Sequence, residues 1–226
     1  MSPPLVVDID GTLTRPGATG SPAPIDPRVF EPLYDWDGQI VLATGKAFPF
    51  PVALGQFIGI GRRVIAETGG IVCVDTTLEV LADGAAARAV AEEMTDRGYP
   101  PAAGDLNLIN RWRETEVAFK RVAPLEELRE VATARGLHVI DSGFAYHVKD
   151  PSVSKGRGLD RVAELIDLNL DEAVAVGDSI NDTSVFERVG HAVAVQDADP
   201  DAKAAADLVI DGRAADGFLA VLEQVR

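Results

Sequence analysis

The chain has 226 residues, enough for one sizeable hydrophobic core and a small second domain. It carries 36 acidic against 21 basic residues, a net charge of −15, with no basic patch, which argues against nucleic acid as a partner. No apolar run reaches the ~18 residues of a membrane span, and a lone cysteine, Cys73, excludes an intrachain disulfide framework.

Leu5-Val6-Val7 reads as a short buried strand that starts almost at once, leaving no room for a signal peptide. It runs into Asp8-Ile9-Asp10-Gly11-Thr12. Asp8 and Asp10 alternate along the strand, so both side chains leave from one side. Burying such charges is costly unless they are paired or bound to metal. Gly11 lets the chain turn away and lets backbone N–H groups approach a ligand. The cluster suits a divalent cation and a carboxylate nucleophile. Taken alone, it is equally a strand ending in an ordinary Asp-Gly turn.

Residues 11–25 are rich in Gly, Pro, Ser and Thr and read as a loop. Asp26-Pro27 caps a helix to about Trp36. Gln39 to Ala43 is a second apolar strand that ends in Thr44-Gly45-Lys46. A hydroxyl with backbone N–H groups at a strand-to-helix junction suits a phosphate oxygen, although a plain strand exit explains it as well. A helix follows from Pro49 and Pro51 to about Ile60, then apolar strands Arg63 to Glu67 and Ile71 to Val74. Cys73 sits in the latter as a small core residue. Strands alternating with helices predict a parallel sheet with helices on both faces and ligands at the carboxyl ends of the strands.

Residues 82–151 have a different rhythm. A helix from Ala85 to Arg97, strands at Leu106 to Asn110 and Thr115 to Arg121, a helix from Pro124, and strands at His138 to Asp141 and Phe144 to Val148 make a compact α/β unit. Its boundaries are Asp83-Gly84 and Asp150-Pro151-Ser152. Ser154-Lys155-Gly156 then opens a helix with Leu159, Val162, Ala163, Leu165 and Ile166 on one face. A lysine at a helix start makes sense opposite an anion, since cations favour the other end; a solvated lysine is the alternative. After the strand Ala173 to Val176 comes Gly177-Asp178-Ser179-Ile180-Asn181-Asp182. One helix cap needs one such residue, and this run supplies several. With a helix beginning near Asn181, Asp178 and Asp182 converge on one ion. A strand at His191 to Val195, a helix at Pro200 to Ala206, a strand at Leu208 to Ile210 and a helix at Gly217 to Val225 complete the chain.

DxDGT, a strand ending in Thr-Gly, a Lys-Gly pair opening a helix, and GDSxND, in that order, resemble the haloacid dehalogenase superfamily of phosphotransferases. The likeness spans nearly the whole chain. It is strongest to the archaeal phosphoglycolate phosphatase group, through Ala66-Glu67-Thr68-Gly69-Gly70, Asp141 to His147 and the short length. Thr68 departs from that pattern, where Asn is frequent, and Lys46 stands where Arg is commoner. The resemblance implies an α/β fold: a Rossmann-like parallel-sheet core from residues 1–81 and 152–226, and a smaller α/β cap, residues 82–151, that sees the substrate. Residues 11–25 are then a flap beside the nucleophile.

The resemblance also implies roles. Asp8 is the nucleophile and Asp10 the general acid and base. Thr44, Gly45 and Lys155 hold the phosphoryl group. Mg²⁺ is held by the Asp8 carboxylate, the Asp10 carbonyl and Asp178, with Asp182 a ligand directly or through water. The expected reaction is hydrolysis of a small phosphate monoester, 2-phosphoglycolate above all, through an aspartyl-phosphate. Arg111 and Arg113, which flank Trp112, and Arg121 are candidates to pair a substrate carboxylate, against the alternative of solvated cap arginines. His147 reads as an interface histidine that also has the chance to face the site. A sugar phosphatase or phosphomutase of the same superfamily is the alternative; a non-catalytic binding protein ranks behind, because no catalytic carboxylate is missing. The expected setting is the cytoplasm, the expected partner a small phosphate ester, and a homodimer stays open. Many aspartates, five lysines and small apolar residues resemble proteins of salt-rich cytosols, where ions screen self-repulsion.

Overall fold

The computed structural model describes residues 2–17, 23–101 and 110–225. Its main sheet is built from β1 (Leu5–Val7), β2 (Ile40–Ala43), β3 (Arg63–Ala66), β4 (Ile71–Val74), β5 (Thr77–Val80), β9 (Val174–Gly177), β10 (His191–Ala194) and β11 (Leu208–Val209). The strand order is β11-β10-β9-β1-β2-β3-β4-β5. From β11 to β3 every pair is parallel. β1, β2, β4 and β9 are buried throughout, as a sheet covered on both faces requires.

The sheet is not parallel to its edge. β3, β4 and β5 form an antiparallel meander. The three-residue turn Glu67–Gly69 is too short for the crossover that parallel pairing needs, so β4 doubles back on β3. β5, which the sequence reading left out, is mostly exposed at the sheet edge and lacks the apolar run that marks the buried strands.

Helices α1 (Phe30–Tyr34), α2 (Pro49–Ile58), α5 (Lys155–Ile166), α6 (Thr183–Phe186), α7 (Pro200–Ala205) and α8 (Ala215–Val225) pack on this sheet. Asp26 caps the 3-10 turn before α1 by accepting from Arg28 N, with Pro27 at the first position. In α5 the Ser154 hydroxyl caps the start by accepting from Arg157 N, and Leu159 and Val162 are buried below it. Burying each such side chain contributes about 1.5–3 kcal/mol.

A second hydrophobic cluster has its own sheet. Strands β6 (Val117–Phe119), β8 (Tyr146–Lys149) and β7 (His138–Asp141) pair antiparallel in that order. Helices α3 (Ala85–Asp96) and α4 (Leu125–Thr133) cover one face with Ala87, Val90, Met94, Leu128 and Val131. From the sheet, Val117, Phe119, Tyr146 and Val148 join that cluster. By the two-residue alternation of a strand, His147 and Lys149 point to the opposite face. The strand expected at Leu106 to Asn110 falls almost wholly outside the described residues, as does part of the loop 11–25.

Candidate active site

Three adjacent strands of the main sheet end together. Val7 lies opposite Leu42 on β2 and Val176 on β9, so the next residues outward are Asp8, Ala43-Thr44 and Gly177-Asp178. Asp8 N donates to Val176 O at 3.0 Å and Thr44 N to Ile65 O at 2.8 Å, which carries the strand pairing up to the site. Gly11, with φ +82°, turns the chain back over Asp178; a Cβ there would lie 1.9 Å from Asp178 Oδ2. Only glycine fits this approach.

Lys155, on the first turn of α5, is the hub. It is 1 % exposed, and its Nζ donates to Asp8 Oδ1 at 2.6 Å and to Asp182 Oδ1 at 2.7 Å. Burial works against its charge, but Asp182 and Asp8 outweigh burial and hold the ammonium well above its ordinary pKa. Burial pushes the Asp8 carboxyl up to about 7, with Asp182 and Asp10 adding to the push and Lys155 opposing it. Asp178 is raised by burial first, then by Asp8 and Asp182.

Asp182 is occupied on both oxygens. Besides Lys155, its Oδ2 accepts from Asp178 N and Ser179 N, both at 3.1 Å, and from Ser179 Oγ at 3.4 Å. It fixes the loop that carries Asp178 and closes a capping box on the turn Ile180–Asp182. Two other oxygens are bare. Asp8 Oδ2 and Asp178 Oδ1 are buried without a hydrogen-bond partner among the described residues. Asp8, Asp178 and Asp182 each bring a ligand oxygen to within 4.8 Å of the others. Two buried carboxyl groups and a half-buried one against one ammonium are an excess of acidic oxygens, and such a set of hard oxygens fits a divalent cation such as Mg²⁺.

The structure thus brings Asp8, Lys155, Asp178 and Asp182 together, with Thr44 and Gly45 at the end of the neighbouring strand. Asp10 stands somewhat apart, partly exposed, its Oδ1 2.9 Å from Lys46 Nζ. The Thr44 hydroxyl is fully buried and accepts from Lys46 N at 3.1 Å.

Of the candidate arginines, Arg121 pairs with Asp141 at 3.0 Å and donates to Gly143 O, Arg111 is exposed, and Arg113 turns inward. Arg113 Nη1 pairs with Glu116 Oε1, and its Nη2 donates to Gly45 O at 2.7 Å. Glu116 was not singled out from the sequence. Its side chain is fully buried, and Oε1 also takes a hydrogen bond from His147 Nδ1 at 2.8 Å. Burial alone would raise this carboxyl; His147 and Arg113 outweigh it and hold it at about 2. Glu67 is a second surprise. It is wholly buried at the tip of the β3–β4 turn and accepts from Glu114 N, Thr115 N and Thr115 Oγ. Glu67 has no local partner, its donors lying 47 residues or more away, and Glu116 has only Arg113 three positions earlier, while His147 is 31 residues away.

Residues 123–222 match the family of haloacid dehalogenase-like hydrolases. The chain is 51 % identical to a phosphoglycolate phosphatase of Halorubrum lacusprofundi over 100 % of this chain and 98 % of that protein. It is 33 % identical to one of Archaeoglobus fulgidus over 97 % of this chain and 95 % of that protein. Among solved structures, a Thermoplasma acidophilum protein superposes with a TM-score of 0.81 at 24 % identity, covering 99 % of this chain and 96 % of that one. A sugar phosphatase described as subclass IIB of the superfamily superposes at 0.75 and 19 % identity, covering 99 % and 98 %. The chain belongs to the haloacid dehalogenase-like hydrolases.

Proposed function

We propose that this hydrolase is an Mg²⁺-dependent phosphatase that cleaves 2-phosphoglycolate to glycolate and phosphate through an aspartyl-phosphate on Asp8. The chain is a phosphoric monoester hydrolase; the substrate, the metal and the roles below are the proposal. The observation that carries it is the split of the Asp8 carboxylate, one oxygen held by Lys155 and the other bare. A carboxylate anchored in this way presents one oxygen in a fixed direction for in-line attack on phosphorus.

Asp8 Oδ2 attacks, and the bond to the ester oxygen breaks. Asp10 gives the leaving alkoxide its proton and later takes one from the water that cleaves the aspartyl-phosphate. The Thr44 hydroxyl, the Gly45 backbone and Lys155 hold phosphoryl oxygens. Mg²⁺ would be held by Asp8, the Asp10 carbonyl and Asp178, and would offset charge gathered between carboxylate and phosphate. Asp182, filled by four donors, holds Lys155 and the Asp178 loop, and would serve the ion directly or through water.

Residues 82–151 act as the cap over a core of residues 1–81 and 152–226. Two separate hydrophobic clusters and two separate sheets support that division. A cytoplasmic, salt-rich setting belongs to the same reading and rests on the composition. The test is a turnover panel with Mg²⁺ comparing phosphoglycolate with sugar monophosphates, with and without a sugar bisphosphate. Phosphoglycolate should give the highest kcat/KM. Faster sugar-phosphate hydrolysis, or turnover that depends on the bisphosphate, would replace this reading with the alternative.

A further inference from the structure

On the face of the cap sheet turned away from its own core, one polar side chain is placed against the catalytic strand ends. His147 is 5 % exposed, in the middle of β8, paired with Ala118 on β6 and Ile140 on β7. Its ring lies on Gly45: a Cβ at that glycine would stand 3.1 Å from His147 Cε1 and 3.4 Å from Nε2. Gly45 follows Thr44, so the imidazole stands next to the loop that the proposed mechanism uses for the phosphoryl group.

The ring is aimed and held. Nδ1 is bonded to Glu116 Oε1, which the Arg113 guanidinium also grips, and Arg113 reaches on to Gly45 O. Glu116 is thereby locked between His147 and Arg113 and cannot swing toward the substrate. A histidine whose Nδ1 is bound to a carboxylate has its orientation and its remaining nitrogen fixed. Here Nε2 makes no hydrogen bond among the described residues, and it is the nitrogen on the Gly45 side.

We infer that His147 is the residue of the cap that reads the organic part of the ester, donating from both ring nitrogens, Nδ1–H to Glu116 and Nε2–H to the substrate carboxylate. This rests on the substrate reading above. The phosphoryl group occupies the floor made by Asp8, Thr44 and Lys155, so the short carboxylate tail must lie on the cap side. The cap side chains that lie against Gly45 are His147 and Arg113. Arg113 already spends Nη1 and Nη2 on Glu116 and Gly45 O, so it supplies positive potential and scaffolding. His147 supplies the directed donor.

The test compares phosphoglycolate with ethyl phosphate, which lacks the carboxylate, in wild type and His147→Asn. Asparagine can place its amide N–H where Nδ1 was, keeping the Glu116 bond, and puts nothing at the Nε2 position. The ratio of kcat/KM for the two esters should fall by about tenfold or more in the variant, as expected for loss of one hydrogen bond to a charged group. A ratio that stays at the wild-type value would overturn the inference while leaving the proposed substrate intact. A wild type that does not favour phosphoglycolate over ethyl phosphate would overturn both. A second measurement covers a variant that folds poorly. In histidine-labelled Asp8→Asn protein with Mg²⁺, where the ester persists, the His147 Nε2 resonance should move with phosphoglycolate and not with ethyl phosphate. Assignment uses substitutions of the two other histidines, His138 and His191, both exposed. An unmoved resonance would equally overturn the inference.

Discussion

Lys155 and Asp8 meet through one carboxylate oxygen only: Nζ donates to Oδ1 at 2.6 Å, while Oδ2 takes no hydrogen bond among the described residues. The ammonium therefore orients the carboxylate and, under the proposed mechanism, would lower the repulsion an incoming phosphate dianion feels while leaving the lone pairs of Oδ2 uncovered.

Asp8→Asn should remove activity while keeping the fold. The amide is nearly isosteric and its oxygen can still accept from Lys155, but it cannot attack phosphorus. The expected rate is below wild type by on the order of 10³ or more. Phosphate release measured beside a melting curve separates lost chemistry from lost structure. Substantial turnover in a well-folded variant would remove Asp8 as nucleophile.

Metal and pH are linked through the same carboxylate. Asp8 is pushed up to about 7 and Asp178 is raised as well, both chiefly by burial. A carboxyl with a raised folded-state pKa contributes stability that is fully present below its unfolded value of about 3.9 and is lost as pH rises through the folded value. A divalent cation favours the ionised form and restores what deprotonation removes. The gain in melting temperature from Mg²⁺ over EDTA should therefore be small near about pH 5 and larger near about pH 8. An equal gain at both would contradict a metal site built on these groups.

Much of this site was legible because it is local. Asp8-Ile9-Asp10-Gly11, Thr44-Gly45, Lys155-Gly156 and Gly177 to Asp182 each end or begin an element, and a parallel sheet gathers such ends at one edge. What stayed hidden is non-local or conformational. Glu116 and Glu67 look like any surface glutamates until a distant imidazole or backbone N–H meets them in the interior. The β3–β4–β5 meander was missed because β5 is exposed and carries no apolar run. The resemblance flagged Thr68 as a departure, but only the backbone shows its consequence.

Glu67 and Thr68 are consecutive non-glycine residues in left-handed backbone, with φ of 51° and 54°. A β-branched side chain suffers most there, at a cost of roughly 1–2 kcal/mol, whereas Asn tolerates the region. Thr68→Asn should raise stability by about 0.5–1 kcal/mol, or roughly 1–4 °C in Tm. Unfolding by denaturant gives the number directly. A destabilised variant would show that the buried Thr68 side chain matters more than the strain.

Net charge sets a further expectation. With −15 on the chain, self-repulsion opposes the compact state. At about 1 M salt the Debye length is about 3 Å, so repulsion across the surface is screened. The many exposed ion pairs, such as Arg129 with Glu126, weaken as well, but each is worth only about 0–1 kcal/mol. Repulsion should win, and Tm should rise by about 3 °C or more between low salt and molar KCl. A melting temperature unchanged or lowered by KCl would contradict the salt-adapted reading.

Glu67 ties the segment 114–115 to the core, and its removal should loosen that junction before anything else. Its Oε2 accepts from Glu114 N at 3.0 Å, Thr115 N at 2.8 Å and Thr115 Oγ at 2.8 Å, while burial raises its pKa. Glu67→Ala leaves two backbone N–H groups and a hydroxyl without an acceptor, at about 1–3 kcal/mol for each that water cannot reach. Asp8, Lys155, Asp178 and Asp182 keep their own partners, so the loss should appear as local opening rather than as collapse of the site. Hydrogen exchange reads this directly: the Glu114 and Thr115 amides should lose protection far more than those of β1 and β9. Glu67→Gln, which keeps one acceptor oxygen, should fall between. Looser docking also weakens the Arg113 and His147 contacts with Gly45, so KM for the ester should rise more than kcat falls. Uniform loss of protection across both sheets would mean that Glu67 supports the whole fold instead of latching the segment 114–115.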